Sequence, residues 1–156
     1  MTSLPQRWGD SAILKLPSFL QPDPDDPPGR ATFKPAPPNK LAVLLVDDEP
    51  AFRSLLAATL KMDGYHVVEA GDGEEAVVAI QKVKRVDLVV TDIRMPHVDG
   101  ITLARSVRRA QPGVPVLFIT GYPDDLGVPV PNSSMLSKPF LRDDLMKAVH
   151  GLIYTT

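Results

Sequence analysis

The sequence contains no cysteine, which excludes disulfides, thiolate metal sites and cysteine nucleophiles and fits a reducing compartment. Charge of either sign is scarcely in excess, with 17 Lys and Arg against 19 Asp and Glu. A net charge of −2 gives no overall field that would draw in nucleic acid or an anionic membrane, so any charged site must be local. Long apolar runs are also missing. The stretches Leu41 to Val46 and Val114 to Ile119 fall far short of the ~20 residues that span a bilayer. Near the N-terminus Ala12-Ile13-Leu14 is cut off by Lys15 and Pro17, too short a run for a secretory signal. A cytoplasmic protein without membrane or direct nucleic-acid contact is expected.

Proline is plentiful but uneven. Nine of the 17 prolines lie within residues 1–40, at positions 5, 17, 22, 24, 27, 28, 35, 37 and 38. Each removes a backbone donor and fixes φ, so regular structure is not expected there. Segment 21–39, QPDPDDPPGRATFKPAPPN, reads as an extended spacer of polyproline character. Trp8, Ile13, Leu14, Leu16, Phe19 and Leu20 precede it and offer apolar anchors. A poorly ordered extension over 1–39 is expected, with a segment docked on a partner or on the domain as the alternative. Residues 40–156 then form one domain, long enough to enclose a hydrophobic core.

From Lys40 onward apolar runs alternate with helical periodicity, the pattern of βα units around a mostly parallel sheet. Strands are predicted at Leu41 to Val46, Tyr65 to Glu69, Asp87 to Thr91, Val116 to Thr120 and Met135 to Ser137. The first helix carries Phe52, Leu55, Leu56, Thr59 and Leu60 at helical spacing, with Pro50 in its first turn and Gly64 as its stop. A second is predicted over Glu74 to Lys84, with Ala76, Val77, Ile80 and Val83 inward. A third covers Ile101 to Ala110 and a last Arg142 to Leu152. The first, third and fourth strands are continuously apolar, as central parallel strands are. In such a sheet the ligand site lies beyond the carboxyl ends of the strands.

That edge is rich in chemistry. Asp47, Asp48 and Glu49 follow the first strand and Asp92 ends the third. Carboxylates gathered without basic neighbours repel one another, and a hard cation such as Mg²⁺ relieves the repulsion. Thr120 ends the fourth strand and Lys138 follows the fifth, adding a hydroxyl and an ammonium. Together they make a phosphoryl site in which acids hold the metal, Lys138 and the metal neutralise phosphoryl oxygens, and Thr120 donates a hydrogen bond. Asp92, at the centre, is the candidate nucleophile, because a carboxylate can form an aspartyl phosphate. Taken singly these residues are unremarkable: an acidic pair at a strand end is commonly a solvated turn or a cap, and Lys-Pro is commonplace. It is the joint arrangement that points to a site. Other polar residues get plainer readings. Met95-Pro96 shapes a loop and Asp99-Gly100 turns into the third helix, while Asp124-Asp125 and Asp143-Asp144 are solvated or helix-start acids. His66, His97 and His150 share no ligand spacing and are assigned to packing or surface.

Four ordered motifs, LLVDDEP at 44–50, VVTDIRMPHVDG at 89–100, VLFITG at 116–121 and LSKPF at 136–140, resemble the receiver domains of two-component response regulators. The resemblance covers about residues 40–154. It implies a flavodoxin-like, doubly wound fold with a five-stranded parallel sheet in the order 2-1-3-4-5. It also implies Asp92 as phosphoacceptor, Mg²⁺ bound by Asp48, Asp92 and the backbone carbonyl of Arg94 with Asp47 nearby, Thr120 as the switch hydroxyl, and Lys138, before a cis Pro139, as the phosphoryl-binding lysine. Partners implied are a sensor histidine kinase or histidine phosphotransfer protein and a downstream protein effector. Only Tyr154, Thr155 and Thr156 follow the last helix, so output through protein contacts, with no attached output domain, is expected.

Two departures from the family pattern concern output. Met135 stands where the family commonly has Tyr or Phe as the partner of the switch hydroxyl. The segment GYPDDLGVPVPNSSMLS after Thr120 is too rich in Gly and Pro for a regular fourth helix, so a short helical turn or a loop is predicted. Arg94 and Tyr122 occupy positions that in the family modulate phosphoryl lifetime, and a bulky cation and a ring there imply slow hydrolysis. Two other functions compete with the phosphoacceptor. One is a phosphorylation-independent receiver-fold interaction module. The other, an enzyme, is a haloacid-dehalogenase-like phosphatase, whose D-x-D signature after the first strand is poorly matched by Asp47-Asp48.

Overall fold

The continuous burial of β1 (Ala42–Val46), β3 (Leu88–Asp92, buried through Thr91) and β4 (Val116–Thr120) sets the centre of the molecule. The structure is a computed structural model and describes residues 40–83, 85–126 and 130–154. These strands join β2 (His66–Ala70) and β5 (Ser133–Ser137) in one parallel sheet of order β2-β1-β3-β4-β5, as expected. Helices α1 (Pro50–Met62), α2 (Gly73–Lys82), α3 (Gly100–Ala110) and α4 (Arg142–Ile153) cover it. The expectation for residues 1–39 lies outside the described residues.

Strand side chains alternate between two cores. Val43, Leu45, Leu88, Val90, Leu117 and Ile119 face α1 and α4. Leu44, Val46, Val89, Val116 and Phe118 face α2 and α3. A period of two along each strand thus divides a continuous apolar run between the two helical layers.

Helix α1 opens with Pro50 and is followed by Gly64 at φ 94°, as the sequence predicts. Its buried stripe is Leu56, Ala57 and Leu60, while Leu55, counted with the stripe in the sequence, is 63% exposed. Leu55 lies about 100° around the helix from Leu56, which carries it off the covered face. Helix α2 is capped by Asp72, which accepts from the Glu75 amide at 2.7 Å, and ends two residues short of the prediction. Strand β5 begins at Ser133 rather than Met135. Serines give little strand signal, and this edge strand is partly exposed, so the ladder to β4 defines it rather than apolar patterning. Between β4 and β5 the only helical segment among the described residues is a four-residue 3-10 turn, Pro123–Leu126, in agreement with the predicted short turn. No helix among the described residues is long and apolar enough to cross a membrane.

Candidate functional site

Strand β1 lies beside β3 in the register Val46↔Thr91, so the residues that follow these pairs emerge at one edge. Asp47, Asp48 and Asp92 bring carboxylate oxygens within 4.8 Å of one another. Asp47 is only 2% exposed. Burial pushes its carboxyl up from the ordinary value; the Glu49 amide and Lys138 pull it back, while the charges of Asp92 and Asp48 add to the rise. Its Oδ1 accepts from the Glu49 N–H at 2.8 Å, and its carbonyl accepts from Arg53 Nη1 at 2.8 Å. Arg53 thereby fastens the start of the β1–α1 connection. The chemistry of the donor set, three carboxylates of which one is buried, fits a hard divalent cation.

Lys138 supplies the opposing charge. Its Nζ lies 3.1 Å from Asp92 Oδ2 and 3.8 Å from Asp47 Oδ2. The Lys138-Pro139 peptide is cis, and the Lys138 amide donates to the Thr120 carbonyl at 2.8 Å. Phe52 on α1, whose chemical place the sequence did not reveal, sets its ring 4.4 Å below the ammonium and meets Phe140 edge-on at 6.0 Å. A cation over an aromatic face is stabilised without a hydrogen bond, so Lys138 is held from three sides. Phe52 reads from sequence as a core residue, and only the closeness of α1 to the β5–α4 connection gives it this second contact.

Thr120, buried at 1% exposure, ends β4 beside β3. Its hydroxyl accepts from the Tyr122 amide at 2.9 Å and donates to the Tyr122 carbonyl at 3.3 Å. Asp92 accepts from the Arg94 amide at 3.2 Å, and the buried Thr91 hydroxyl donates to the Asp92 carbonyl at 2.9 Å. The loop after Asp92 is held by two close approaches. A Cβ added at Gly100 would lie 2.2 Å from the Asp92 carbonyl oxygen, and one added at Gly73 would lie 2.5 Å from Val98 Cβ. Asp99 caps α3 by accepting from Thr102 N at 2.7 Å, as its place before the helix predicts.

Asp125, read as a solvated or helix-start acid, lies in the first turn of the 3-10 segment and is also tied to a distant partner. Arg94 donates to both its oxygens, from Nε at 2.5 Å and from Nη2 at 2.9 Å, and the guanidinium stacks 3.6 Å from the Tyr122 ring centroid. The hydrogen bond to Asp125 holds Arg94 above its ordinary pKa, and Arg94 in turn holds the Asp125 carboxyl below the usual range. The partners are 31 residues apart, beyond any local sequence signal. His150 meets Asp63 at 2.8 Å far from the acidic edge, and His66 is buried, in keeping with packing and surface roles.

Residues 43–150 match the family described as the response regulator receiver domain. The chain belongs to that family and is a receiver domain of two-component signalling. It is 38% identical over 111 residues to the transcriptional regulatory protein GlrR of Escherichia coli K12, covering 69% of this chain and 25% of that protein. A solved receiver protein from Sinorhizobium medicae is 32% identical with a TM-score of 0.70, covering 75% of this chain and 97% of that one. The receiver domain of a sensor histidine kinase from Pseudomonas aeruginosa PAO1, solved with a magnesium ion coordinated in its active site cleft, is 30% identical with a TM-score of 0.66. It covers 74% of this chain and 99% of its own. The first curated relatives are longer, and this chain spans a quarter to somewhat under half of them.

Proposed function

We propose that Asp92 accepts a phosphoryl group from a histidine kinase or a histidine phosphotransfer protein, and that residues 40–156 act as the phosphorylated switch. The observation that carries the reading is the convergence of Asp47, Asp48 and Asp92 with Lys138 3.1 Å from the Asp92 carboxylate. In the step, an Asp92 carboxylate oxygen attacks the donor phosphorus. A new O–P bond forms as the donor's P–N bond breaks, its electron pair leaving with the imidazole, which takes up a proton. Asp47, Asp48, Asp92 and the carbonyl of Arg94 would hold Mg²⁺, which when bound neutralises charge on the phosphoryl oxygens. Lys138, already oriented by the carboxylates and the Phe52 ring, places a fixed positive charge where negative charge gathers. Thr120 offers its hydroxyl proton by giving up the bond it donates to the Tyr122 carbonyl.

Output then runs through protein contacts biased by occupancy of the site. One observation favours a second reading, a module that binds partners without phosphorylation: Met135 is 37% exposed at the place of the usual aromatic partner of the switch. Acetyl phosphate with Mg²⁺, followed by Phos-tag electrophoresis, separates the two. The wild type is expected to show one labile retarded band, absent from Asp92→Ala and absent in EDTA. A wild type that remains unretarded, with its fold intact by circular dichroism, would remove the phosphoacceptor reading and leave the binding module.

A further inference from the structure

Arg94 stands on the flank of the acidic edge with its side chain 58% exposed, yet it is not a free surface cation. Two parallel N–H donors meet the two oxygens of Asp125, whose side chain is 20% exposed, and the opposite face of the plane is covered by Tyr122. This fork-to-fork arrangement is the strongest form of a charge-assisted hydrogen bond, and a phosphoryl group offers guanidinium the same pair of oxygens. The clasp also connects directly to the site. The Arg94 amide donates to Asp92 Oδ1, the Tyr122 amide donates to Thr120 Oγ1, and the Asp125 amide donates to the Tyr122 carbonyl at 3.0 Å. A phosphoryl group on Asp92 would bring close to two negative charges and three acceptor oxygens next to a cation whose only bidentate partner among the described residues is a single carboxylate.

We propose that Asp125 is a positioning residue for the phosphoryl site: with Tyr122 it holds Arg94 to the side of the acceptor, and a phosphoryl group on Asp92 competes with it for the guanidinium. The inference rests on the reading of Asp92 as acceptor. Its consequence is that filling the site unfastens the 3-10 turn after β4, a route outward that does not pass through Met135. Two ligands competing for one group are linked, so removing one strengthens the other.

The test is a titration of the full chain with beryllofluoride and Mg²⁺, followed by ¹⁹F NMR. Asp125→Asn keeps the size of the side chain and removes its charge, and it is expected to bind beryllofluoride about three- to fivefold tighter than wild type, the range for loss of an exposed competing pair. Arg94→Ala is expected to bind more weakly, and the double variant to match Arg94→Ala. In the wild type the Arg94 Nε–H resonance, assigned by its loss in Arg94→Lys, should move when beryllofluoride is added. A merely structural role for Asp125 has the opposite sign, since loosening the turn would weaken binding. Equal or weaker binding by Asp125→Asn, or a gain that persists without Arg94, overturns the inference while leaving the acceptor reading intact. If the wild type neither binds beryllofluoride nor shows the retarded band, both readings are lost together.

Discussion

Gly100→Ala is expected to destabilise the protein by about 3 kcal/mol or more and to slow phosphoryl incorporation about 100-fold. The added Cβ would sit 2.2 Å from the Asp92 carbonyl oxygen and 3.0 Å from both the Asp92 carbonyl carbon and Ile93 Cα. All three are backbone atoms, so no side chain can swing aside. Either α3 backs away from the sheet and opens the core around Leu103, Ala104 and Val107, or the Asp92–Ile93 peptide shifts and carries the Asp92 carboxylate with it. The second course is opposed by the Asp92↔Ile119 register and by the Thr91 hydroxyl on the same carbonyl. Urea denaturation and the rate of band retardation measure the two effects separately. Gly151→Ala is the control: a Cβ there meets nothing within 4 Å, and in an exposed part of α4 it should stabilise by about 0.5–1 kcal/mol. A Gly100→Ala protein as stable as wild type would show that α3 yields at no cost.

Asp47→Asn should act in the opposite direction. With no divalent cation present it is expected to raise stability by about 1–2 kcal/mol at neutral pH, because a buried carboxylate facing two others is replaced by a neutral amide that can still accept from the Glu49 N–H. Lys138 keeps its nearer partner, Asp92. The folded-state pKa of Asp47 is raised, so the folded protein holds this proton more tightly than the unfolded chain. Wild-type stability relative to the variant therefore falls as pH rises from the ordinary value of 3.8 through the raised folded value, and is constant above it. Mg²⁺ should reverse the ranking. At about one hundred times its dissociation constant a ligand specific for the folded state adds ~2.7 kcal/mol, and the variant, with one carboxylate fewer, should gain little of this. Thermal unfolding in EDTA and in Mg²⁺, from pH 4 to pH 8, checks sign and window together. A variant less stable than wild type in EDTA would mean that Asp47 is stabilised by its neighbours and does not need a cation.

Much of this was legible in the sequence, for identifiable reasons. Apolar runs bounded by Asp47, Asp92 and Thr120 mark both the central strands and the edge where their chemistry emerges, because in a parallel sheet every strand delivers its last residue to the same side. Pro50 and Gly64 mark the limits of α1 through backbone constraints that no packing is needed to reveal. The start of β5 was not legible, since Ser133 and Ser134 take their conformation from β4. Leu55 misled because a leucine at helical spacing says nothing of where the covering layer ends. At the site the order along the chain marks the acids and Lys138, whereas Phe52 and Asp125 act through contacts between distant segments. In the sequence Gly100 has the look of a turn former, and its closer reason, an oxygen with no room beside it, appears only in three dimensions.

The strand order also bears on how the chain is made. β1 pairs with β2 on one side, Val46 opposite Ala70, but its other side waits for β3, where Val43 meets Leu88. During synthesis from the N-terminus, β1 is released long before residue 88 exists, with one flank of backbone donors and acceptors unpaired and with side chains meant for two covered layers. An apolar strand with an open edge is the kind of segment that aggregates or engages a chaperone. A nascent chain stalled before β3 should therefore be captured by holdases, and one extended past α4, by which point β4 is paired with β5 and the second layer is covered, should escape them.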